Sequence, residues 1–161
     1  MDKEEVRGAV MSACGRYRLR LWRRWGGGAR MAFVLLNPSV ANGVADDPTL
    51  RACVARAQAA GFGGVEVVNL FGWRSADPRA LRGVADPVGP GTDGAVDAAV
   101  RGAGMVVCGW GNGGALLGRG EAVAARLRGA GVVLHHLGLT KGGAPRHPLY
   151  VARAAGPVRW E

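Results

Sequence analysis

The sequence of 161 residues lacks the features of a membrane or exported protein. It contains no run of about 18 apolar residues, the length that a membrane-spanning helix needs. Its N-terminal segment, MDKEEVRGAV, is too acidic and too polar for a signal peptide. A content of 48% apolar residues with scattered charge is typical of one globular domain. We therefore expect a single domain over residues 1–161, a cytoplasmic location and no membrane partner.

Cysteine is scarce as well. The three cysteines, Cys14, Cys53 and Cys108, are odd in number, widely separated and in or beside apolar segments. This pattern favours reduced core thiols over disulfides, a metal centre or an iron–sulfur cluster. His135 and His136 are adjacent in a predicted strand, so their side chains point to opposite faces and do not easily share a metal ion. We expect no metal and no other cofactor.

Lysine is nearly absent, since only Lys3 and Lys141 are present, yet the net charge is +9. Such a charge favours polyanionic partners, with DNA or RNA first among them. A GC-rich genome in which arginine replaces lysine explains the composition equally well, and charge alone identifies no binding face. The expected partner is DNA, single- or double-stranded, bound by a monomer.

Apolar periodicity predicts an α/β fold. Residues 16–25, RYRLRLWRRW, alternate as an antiparallel or edge strand does, with Arg16, Arg18 and Arg20 on one basic face. The apolar segment MAFVLL follows the glycines at 26–28 and is typical of a strand covered on both faces. We expect these two strands to form a hairpin.

Helices and buried strands alternate in the rest of the chain. Asp47 and Pro48 predict the start of a helix that ends near Gly61. Thr92 predicts the cap of a second helix, and Leu116 begins the apolar stripe of a third. Further strands are expected at 65–71, 105–110 and 132–139, and a short helical turn at 79–82. The prediction is a three-layer α/β/α sandwich with a mainly parallel four-stranded core sheet plus an N-terminal antiparallel edge strand.

Each apolar strand is followed by a polar or glycine-rich patch. The patches are NPS at 37–39, NLFGWRSADP at 69–78, GWGNGG at 109–114 and GLTKGGAPRHPLY at 138–150. The carboxyl ends of parallel strands meet at one edge of a sheet, where open sheets bind ligands. One shared site explains four such patches better than four unrelated loops, although connecting loops are polar in general.

The segment GWGNGG permits two interpretations. It lacks the Gly-Lys-Ser/Thr ending of a P-loop. Its backbone amides, at Gly111 and Asn112, could still hold an anion at a helix N-terminus. A simple tight turn into a helix is at least as compatible with the same residues.

The ordered segments LNPS, NLFGWRSADP and HPLY resemble motifs of the uracil-DNA glycosylase superfamily. LLNPS is similar to the first motif of the mismatch-specific branch, whereas VVNLFGWRSADP and RHPLY are similar to segments of the thermostable iron–sulfur branch. The resemblance spans roughly residues 30–150, without the iron–sulfur cysteines and without an acidic residue directly after the first Asn-Pro. The chain also resembles, more specifically, a family of small, uncharacterised bacterial proteins that share LNPS, DDPT, NLF, DP and LGLTK…PRHPLY.

The superfamily resemblance implies a glycosylase-like fold and hydrolysis of the N-glycosidic bond of uracil or another modified base after base flipping, as in base-excision repair of DNA damage. This reaction puts positive charge on the sugar and negative charge on the departing base, so the site needs a positioned water and donors aimed at a base oxygen. Asn37 would hold the water, and His147 would donate to the leaving base. Asn69 would read the N3–H and O4 edge of uracil or thymine.

Other residues would hold the flipped base and the DNA backbone. Phe71 or Trp73 would stack on the base. The residues expected to contact DNA are Ser39, Gly111, Asn112, Lys141 and Arg146.

Two alternatives to a monofunctional DNA glycosylase stay open. One is a non-catalytic module that binds nucleic acid or nucleotides on the same fold, and the other is a hydrolase of free nucleosides or nucleotides. A steep salt dependence of oligonucleotide binding would separate the DNA functions from the small-molecule one. Strand scission by alkali at a modified base would separate an enzyme from a binding module.

Overall fold

The computed structural model describes residues 6–161. Its strands are β1 Val6–Met11, β2 Arg18–Arg24, β3 Arg30–Leu35, β4 Gly64–Asn69, β5 Met105–Gly109, β6 Leu134–His136 and β7 Val158–Arg159. Its α-helices are α1 Pro48–Ala59, α2 Thr92–Arg101 and α3 Arg119–Gly129. Short 3-10 segments span Pro78–Gly83, Gly111–Gly118 and Pro148–Tyr150. None of the helices within residues 6–161 has the length and apolarity to cross a membrane.

The seven strands form one mixed sheet in the order β1-β2-β4-β3-β5-β6-β7. The neighbours β4, β3, β5 and β6 run parallel, whereas β1, β2 and β7 pair antiparallel with their neighbours. A helix lies in each connection between the parallel strands, since such strands need a long crossover. The predicted α/β class is confirmed, and β6 is shorter than the predicted segment 132–139.

Two apolar clusters lie on opposite faces of the sheet. On one face, Leu50 and Cys53 of α1 pack with Phe33 of β3. On the other face, residues of α2 and α3 pack with Val34 of the same strand. Phe33 and Val34 are both fully buried, which is why β3 is apolar throughout instead of alternating. The helices therefore form a layer on each side of the sheet.

The predicted hairpin between residues 16–25 and MAFVLL is wrong. β4 lies between β2 and β3, and β2 pairs with β4 on one side and with β1 on the other. The glycines at 26–28 therefore connect strands that are not neighbours in the sheet. β2 is also not the edge strand, because β1, which was not predicted, covers its outer side.

A bulge in β2 redistributes its arginines. Val10 of β1 pairs with Arg20 and Met11 pairs with Arg18, so Leu19 is an extra residue in the ladder. An extra residue breaks the alternation of faces, so the side chains on its two sides no longer follow one pattern. Arg18 consequently lies on the α1 face and is only 4% exposed. The predicted continuous basic face of this strand is wrong.

The predicted capping residue is correct for α1 and wrong for α2. Asp47 caps α1 as predicted, because its Oδ1 accepts from the Leu50 N–H at 2.8 Å. At α2, Gly91 occupies the cap position, with a φ of 83°. Thr92 is the first helical residue, and its hydroxyl donates to the Val88 carbonyl. The prediction of Thr92 as the cap is therefore wrong.

Two of the three cysteines lie where they were predicted. Cys53 and Cys108 are buried in the core, and burial raises the pKa of the Cys108 thiol to about 12. Cys14 is exposed, contrary to the prediction of a core thiol. Within the part of the chain that the structure describes, no three His, Cys, Asp or Glu side chains are grouped as a metal site requires.

Glu66 of β4 joins three strands by ion pairs. Its carboxylate is 2% exposed and lies between Arg20 of β2 and Arg30 of β3, with 2.9 Å between Oε2 and the Arg30 Nε. A buried charge of this kind depends on its partners, since desolvation would otherwise destabilise the fold. Glu66 is therefore a structural residue on the opposite face of the sheet from α1.

Glu66→Gln should lower the free energy of unfolding by about 3 kcal/mol, the lower end of the range for a broken buried ion pair, because both arginines keep partial contact with water. Urea unfolding followed by circular dichroism measures this. Glu121→Gln, at an exposed carboxylate in the first turn of α3, is the control and should cost less than about 1 kcal/mol. Equal losses in the two variants would contradict the ion-pair account.

Candidate functional site

The carboxyl ends of β3 and β4 bring two predicted site residues together. Leu35, the last residue of β3, pairs with Asn69, the last residue of β4, and Asn37 lies in the loop just after β3. The segment after β6 returns to this edge with His147. Asn37, Asn69 and His147 all line one cavity. The predicted water holder, base reader and leaving-base donor are thus neighbours.

The cavity is small and mixed in polarity. Its volume is about 30 Å³, which is room for about two water molecules. Its other polar lining residues are Arg18, Ser39, Asp47 and Thr49, and its apolar walls include Leu21, Leu35, Leu50 and Val67. A few polar groups converging in an apolar setting are typical of a ligand site.

Asn69 has a donor without an acceptor. Its side chain is 3% exposed, and its Oδ1 accepts from the Arg18 Nη2 at 3.4 Å. Its Nδ2 is buried and has no hydrogen-bond partner within residues 6–161. Because an unsatisfied buried donor costs about 1 to 3 kcal/mol, this amide indicates an acceptor supplied by water or by a ligand.

Arg18 lies beside Asn69 as a buried cation. Its Nη1 donates to the Ala41 carbonyl at 3.0 Å, whereas its Nε is buried without a partner among the described residues. Burial lowers the pKa of Arg18 to about 10, against the opposing charge of Asp47, so the guanidinium stays charged at neutral pH. Sequence reasoning missed this residue, because the alternation of Arg16, Arg18 and Arg20 gives no sign of the bulge.

Asp47 lines the cavity in addition to capping α1. Its side chain is 6% exposed, and its Oδ2 accepts from the Ala41 N–H at 3.3 Å while Oδ1 caps α1. It also lines the cavity, close enough to Arg18 and His147 to act on both electrostatically. The Asp-Pro pattern fully accounts for a cap, so the sequence offers no signal for a site carboxylate.

His147 presents a donor from its Nε2. Its Nδ1 accepts from the Leu149 N–H at 3.2 Å, so the neutral ring holds its proton on Nε2. Burial lowers the pKa of His147, and the charge of Asp47 opposes this only in part. The ring is therefore neutral at pH 7, and this polarity suits donation to an oxygen.

The pKa of His147 in the folded protein should lie below its usual value of about 6.5. As pH falls, the unfolded chain takes up this proton first, so the stability due to His147 is present above about pH 6.5 and is lost towards the folded pKa. An NMR titration of the ring protons measures the value. His147→Asn, which can still cap the next segment, assigns the resonance. A titration at or above 6.5 would refute the burial argument.

Asn37 has a fixed orientation. Its Nδ2 donates to the Ser75 carbonyl at 3.0 Å and to the Pro38 carbonyl at 3.0 Å. Its Oδ1 accepts no hydrogen bond from the described residues, which leaves it available to a water. Ser39, two residues on, lines the same cavity, as a contact to the water or to a phosphate would require.

The two predicted stacking residues lie outside the cavity. Phe71 is fully buried in the core on the α2 and α3 face, so it has no ring face open to a base. Trp73 packs edge to face on Tyr17, with ring centroids 5.5 Å apart. Tyr150 is the aromatic residue beside the site, 77% exposed and with its ring centroid 5.6 Å from that of His147. Tyr150 is the last residue of the motif HPLY, but the predicted stacking residues were taken from the segment that follows β4.

The glycine-rich segment offers no free backbone amide at Gly111, one of the two positions considered for holding an anion. The Gly111 N–H donates to the Pro145 carbonyl at 2.7 Å, so this amide is already bonded. Asn112 accepts from the Thr140 hydroxyl at 2.7 Å through its Oδ1. The segment Gly111–Gly118 is a kinked 3-10 element instead of the first turn of α3. These bonds tie together the loops that follow β5 and β6.

The same pair of loops, residues 110–118 and 138–146, forms a ledge that we call the β5–β6 ledge. Lys141 and Arg146 are both exposed on it, and neither lines the cavity. The Arg146 Nε donates to the Leu139 carbonyl at 3.0 Å, which holds the side chain against its own loop. Gly111 and Asn112 belong to this ledge as well.

A larger cavity, of about 610 Å³, lies at the opposite edge of the sheet. It opens between the C-terminal ends of α2 and α3, and its walls include Val100, Leu127 and Val132. Its acidic residue, Asp97, is paired with Arg126 at 3.0 Å. Among the described residues, the lining of this larger cavity contains no buried polar atom without a partner. The smaller cavity is therefore the stronger candidate site despite its volume.

Comparison with known proteins matches the chain to a family model whose function is unknown. A family model described as "Protein of unknown function (DUF1643)" matches residues 16–149. This range includes every residue that lines the small cavity. No curated protein and no solved structure matches the chain.

Proposed function

The chain belongs to the DUF1643 family, whose model covers most of it, and we propose that it is a monofunctional DNA glycosylase of uracil-DNA glycosylase-like fold. The observation that supports this best is the buried Asn69 Nδ2, without a partner in the described chain, in a cavity shared with His147 and Asn37. Two donors on residues that line one cavity suit an oxygen that gains negative charge. A carbonyl oxygen of a departing pyrimidine is such a group.

The proposed reaction breaks the bond between C1′ of the sugar and the ring nitrogen of the base, and it forms a bond from C1′ to a water oxygen. Asn69 and His147 stabilise the electron pair that leaves with the base. Asn37 Oδ1 orients the water, whose proton passes to Asp47 and then to the departing base. The negative charge of Asp47 also favours the developing positive charge on the sugar.

A base needs more room than the present cavity gives. About 30 Å³ does not hold a pyrimidine ring, so the rim must open when the base is bound. Exposed side chains lie within three residues of the lining residues Ser39 and His147 in the sequence, with Val40 59%, Leu149 43% and Tyr150 77% exposed. Tyr150 replaces Phe71 and Trp73 in the proposal as the residue that stacks on the base.

The net charge of +9 favours DNA over free nucleosides as the substrate. Lys141 and Arg146 place exposed positive charge on the β5–β6 ledge. Arg146 directly precedes His147 in the sequence. We propose that this ledge contacts phosphates, that the protein acts as a monomer on single- or double-stranded DNA, and that it works in the cytoplasm, where its free thiols stay reduced.

Oligonucleotides that each carry one uracil, hypoxanthine, xanthine or hydroxymethyluracil test the proposal. After incubation with the protein, alkali should cut the strand at one of these bases, because an abasic site has formed there. The matching free nucleosides are assayed for base release in parallel. Release from nucleosides alone would favour a nucleoside hydrolase. Salt-dependent binding without any release would favour the non-catalytic binding module.

A further inference from the structure

An asparagine that reads a base needs something to fix its amide. The oxygen and nitrogen of the side chain have nearly the same shape, so a half turn exchanges donor and acceptor. In one orientation the amide matches the O4 and N3–H edge of uracil, and in the other it matches the N4 amine and N3 of cytosine. Asn69 alone therefore does not decide between these bases.

Arg18 removes this ambiguity. Its guanidinium donates to Asn69 Oδ1 at 3.4 Å and, like every arginine, has donors but no acceptor. The reversed amide would place its NH₂ group against a buried cation, with no acceptor between them. The guanidinium itself is held by the Ala41 carbonyl, on the face to which the bulge at Leu19 directs it. The same bond polarises the amide and strengthens its Nδ2 donor.

We propose that Arg18 sets the base specificity of the site, by fixing the Asn69 amide so that its donor faces the base and selects a carbonyl over an amine. This inference rests on the proposed function. Arg18 is a positioning residue in this account, because it acts through Asn69. The substrate class that follows is a base with a carbonyl oxygen beside a ring N–H, as in uracil and hypoxanthine.

Arg18→Met tests the inference, because methionine keeps an unbranched apolar stem but donates no hydrogen bond. Wild type should prefer uracil over cytosine in matched oligonucleotides by about 10⁴ in single-turnover rate. In the variant this ratio should fall at least about a hundredfold, chiefly through faster cytosine release, since the freed amide can turn. A structural role alone would slow both bases together.

Arg23→Met is the matched control. Arg23 is 1% exposed, lies on the same strand and donates to the Asn42 carbonyl and to Asp46, but it does not line the cavity. This variant should be destabilised and yet keep the wild-type ratio. An unchanged ratio in Arg18→Met, with uracil still released, would overturn the inference and leave the proposed function intact.

Neutron diffraction of the deuterated wild-type protein reads the amide orientation without relying on activity. The two deuterons of Asn69 Nδ2 should lie on the side away from Arg18. Deuterons facing Arg18, or divided between both sides, would overturn the inference. If wild type released no base from any substrate, the proposed function would fail, and the neutron map would still decide whether Arg18 fixes the amide.

Discussion

Replacing Asn69 with aspartate should lower uracil release from DNA by about four orders of magnitude, the size of effect expected when a buried polar group meets the wrong partner. The substitution converts the Nδ2 donor into a second acceptor and adds a negative charge. The Arg18 guanidinium, bonded to Asn69 Oδ1, would keep the new carboxylate ionised. The carboxylate oxygen that is not bonded to Arg18 would then repel the carbonyl oxygen of uracil.

The same variant should gain a trace of cytosine release. A carboxylate can accept from the N4 amine of cytosine, but either the acid or the ring N3 must be protonated to complete the pair. Abasic sites are counted in matched oligonucleotides with one uracil or one cytosine. Gln58→Glu, at an exposed residue of α1 that does not line the cavity, is the control for the added charge and should keep uracil release near wild type. If the preference of the Asn69 variant is unchanged, Asn69 is structural and another group reads the base.

Asn37→Ala and His147→Ala should each lower turnover about a hundredfold to a thousandfold, as the loss of one preorganised polar group does. In the proposed mechanism, the first variant loses the oxygen that would orient the water, and the second loses the Nε2 donor that would face the leaving base. Both should keep the fold and most of the affinity for DNA, since neither residue is the main contact to phosphates in this account.

Each of these variants also loses a local bond, so controls are needed. His147→Asn can keep the acceptor that caps the Leu149 N–H, yet it should be as inactive as the alanine variant because its amide is shorter than the ring. His135→Asn removes a half-buried histidine that bonds the Val106 carbonyl away from the site, and it should stay active. Full activity in Asn37→Ala or His147→Ala would remove that residue from the mechanism.

The gathering of Asn37, Asn69 and His147 could be predicted because it depends only on local pattern and sheet geometry. Apolar runs mark the buried strands, and polar residues directly after parallel strands must meet at one edge. The cap at Asp47 was equally local, since Asp-Pro encodes both the capping oxygen and the first helical turn. No partner strand had to be identified for these conclusions.

Arg18 could not be predicted because its position depends on strand pairing. β2 pairs with β1 and β4 instead of β3, and the extra residue Leu19 moves Arg18 from the expected solvent face to the cavity. An alternating sequence gives the period of a strand, but neither its partners nor its bulges. The choice of stacking residue also depended on the tertiary structure. Phe71 is buried in the core after Asn69, whereas Tyr150 lies beside His147 at the rim of the cavity.

The claim that the cavity holds a flipped base through Asn69 is tested most directly by the chemical shifts of the Asn69 side-chain amide protons. The probe is an oligonucleotide with one 2′-fluoro-arabino-uridine, whose electron-withdrawing fluorine slows cleavage and keeps the base in place. The amide resonances, assigned by their loss in Asn69→Asp, should move downfield with this probe and stay in place with a matched cytosine oligonucleotide. Tight binding of the uridine probe with the Asn69 resonances unmoved would contradict the account.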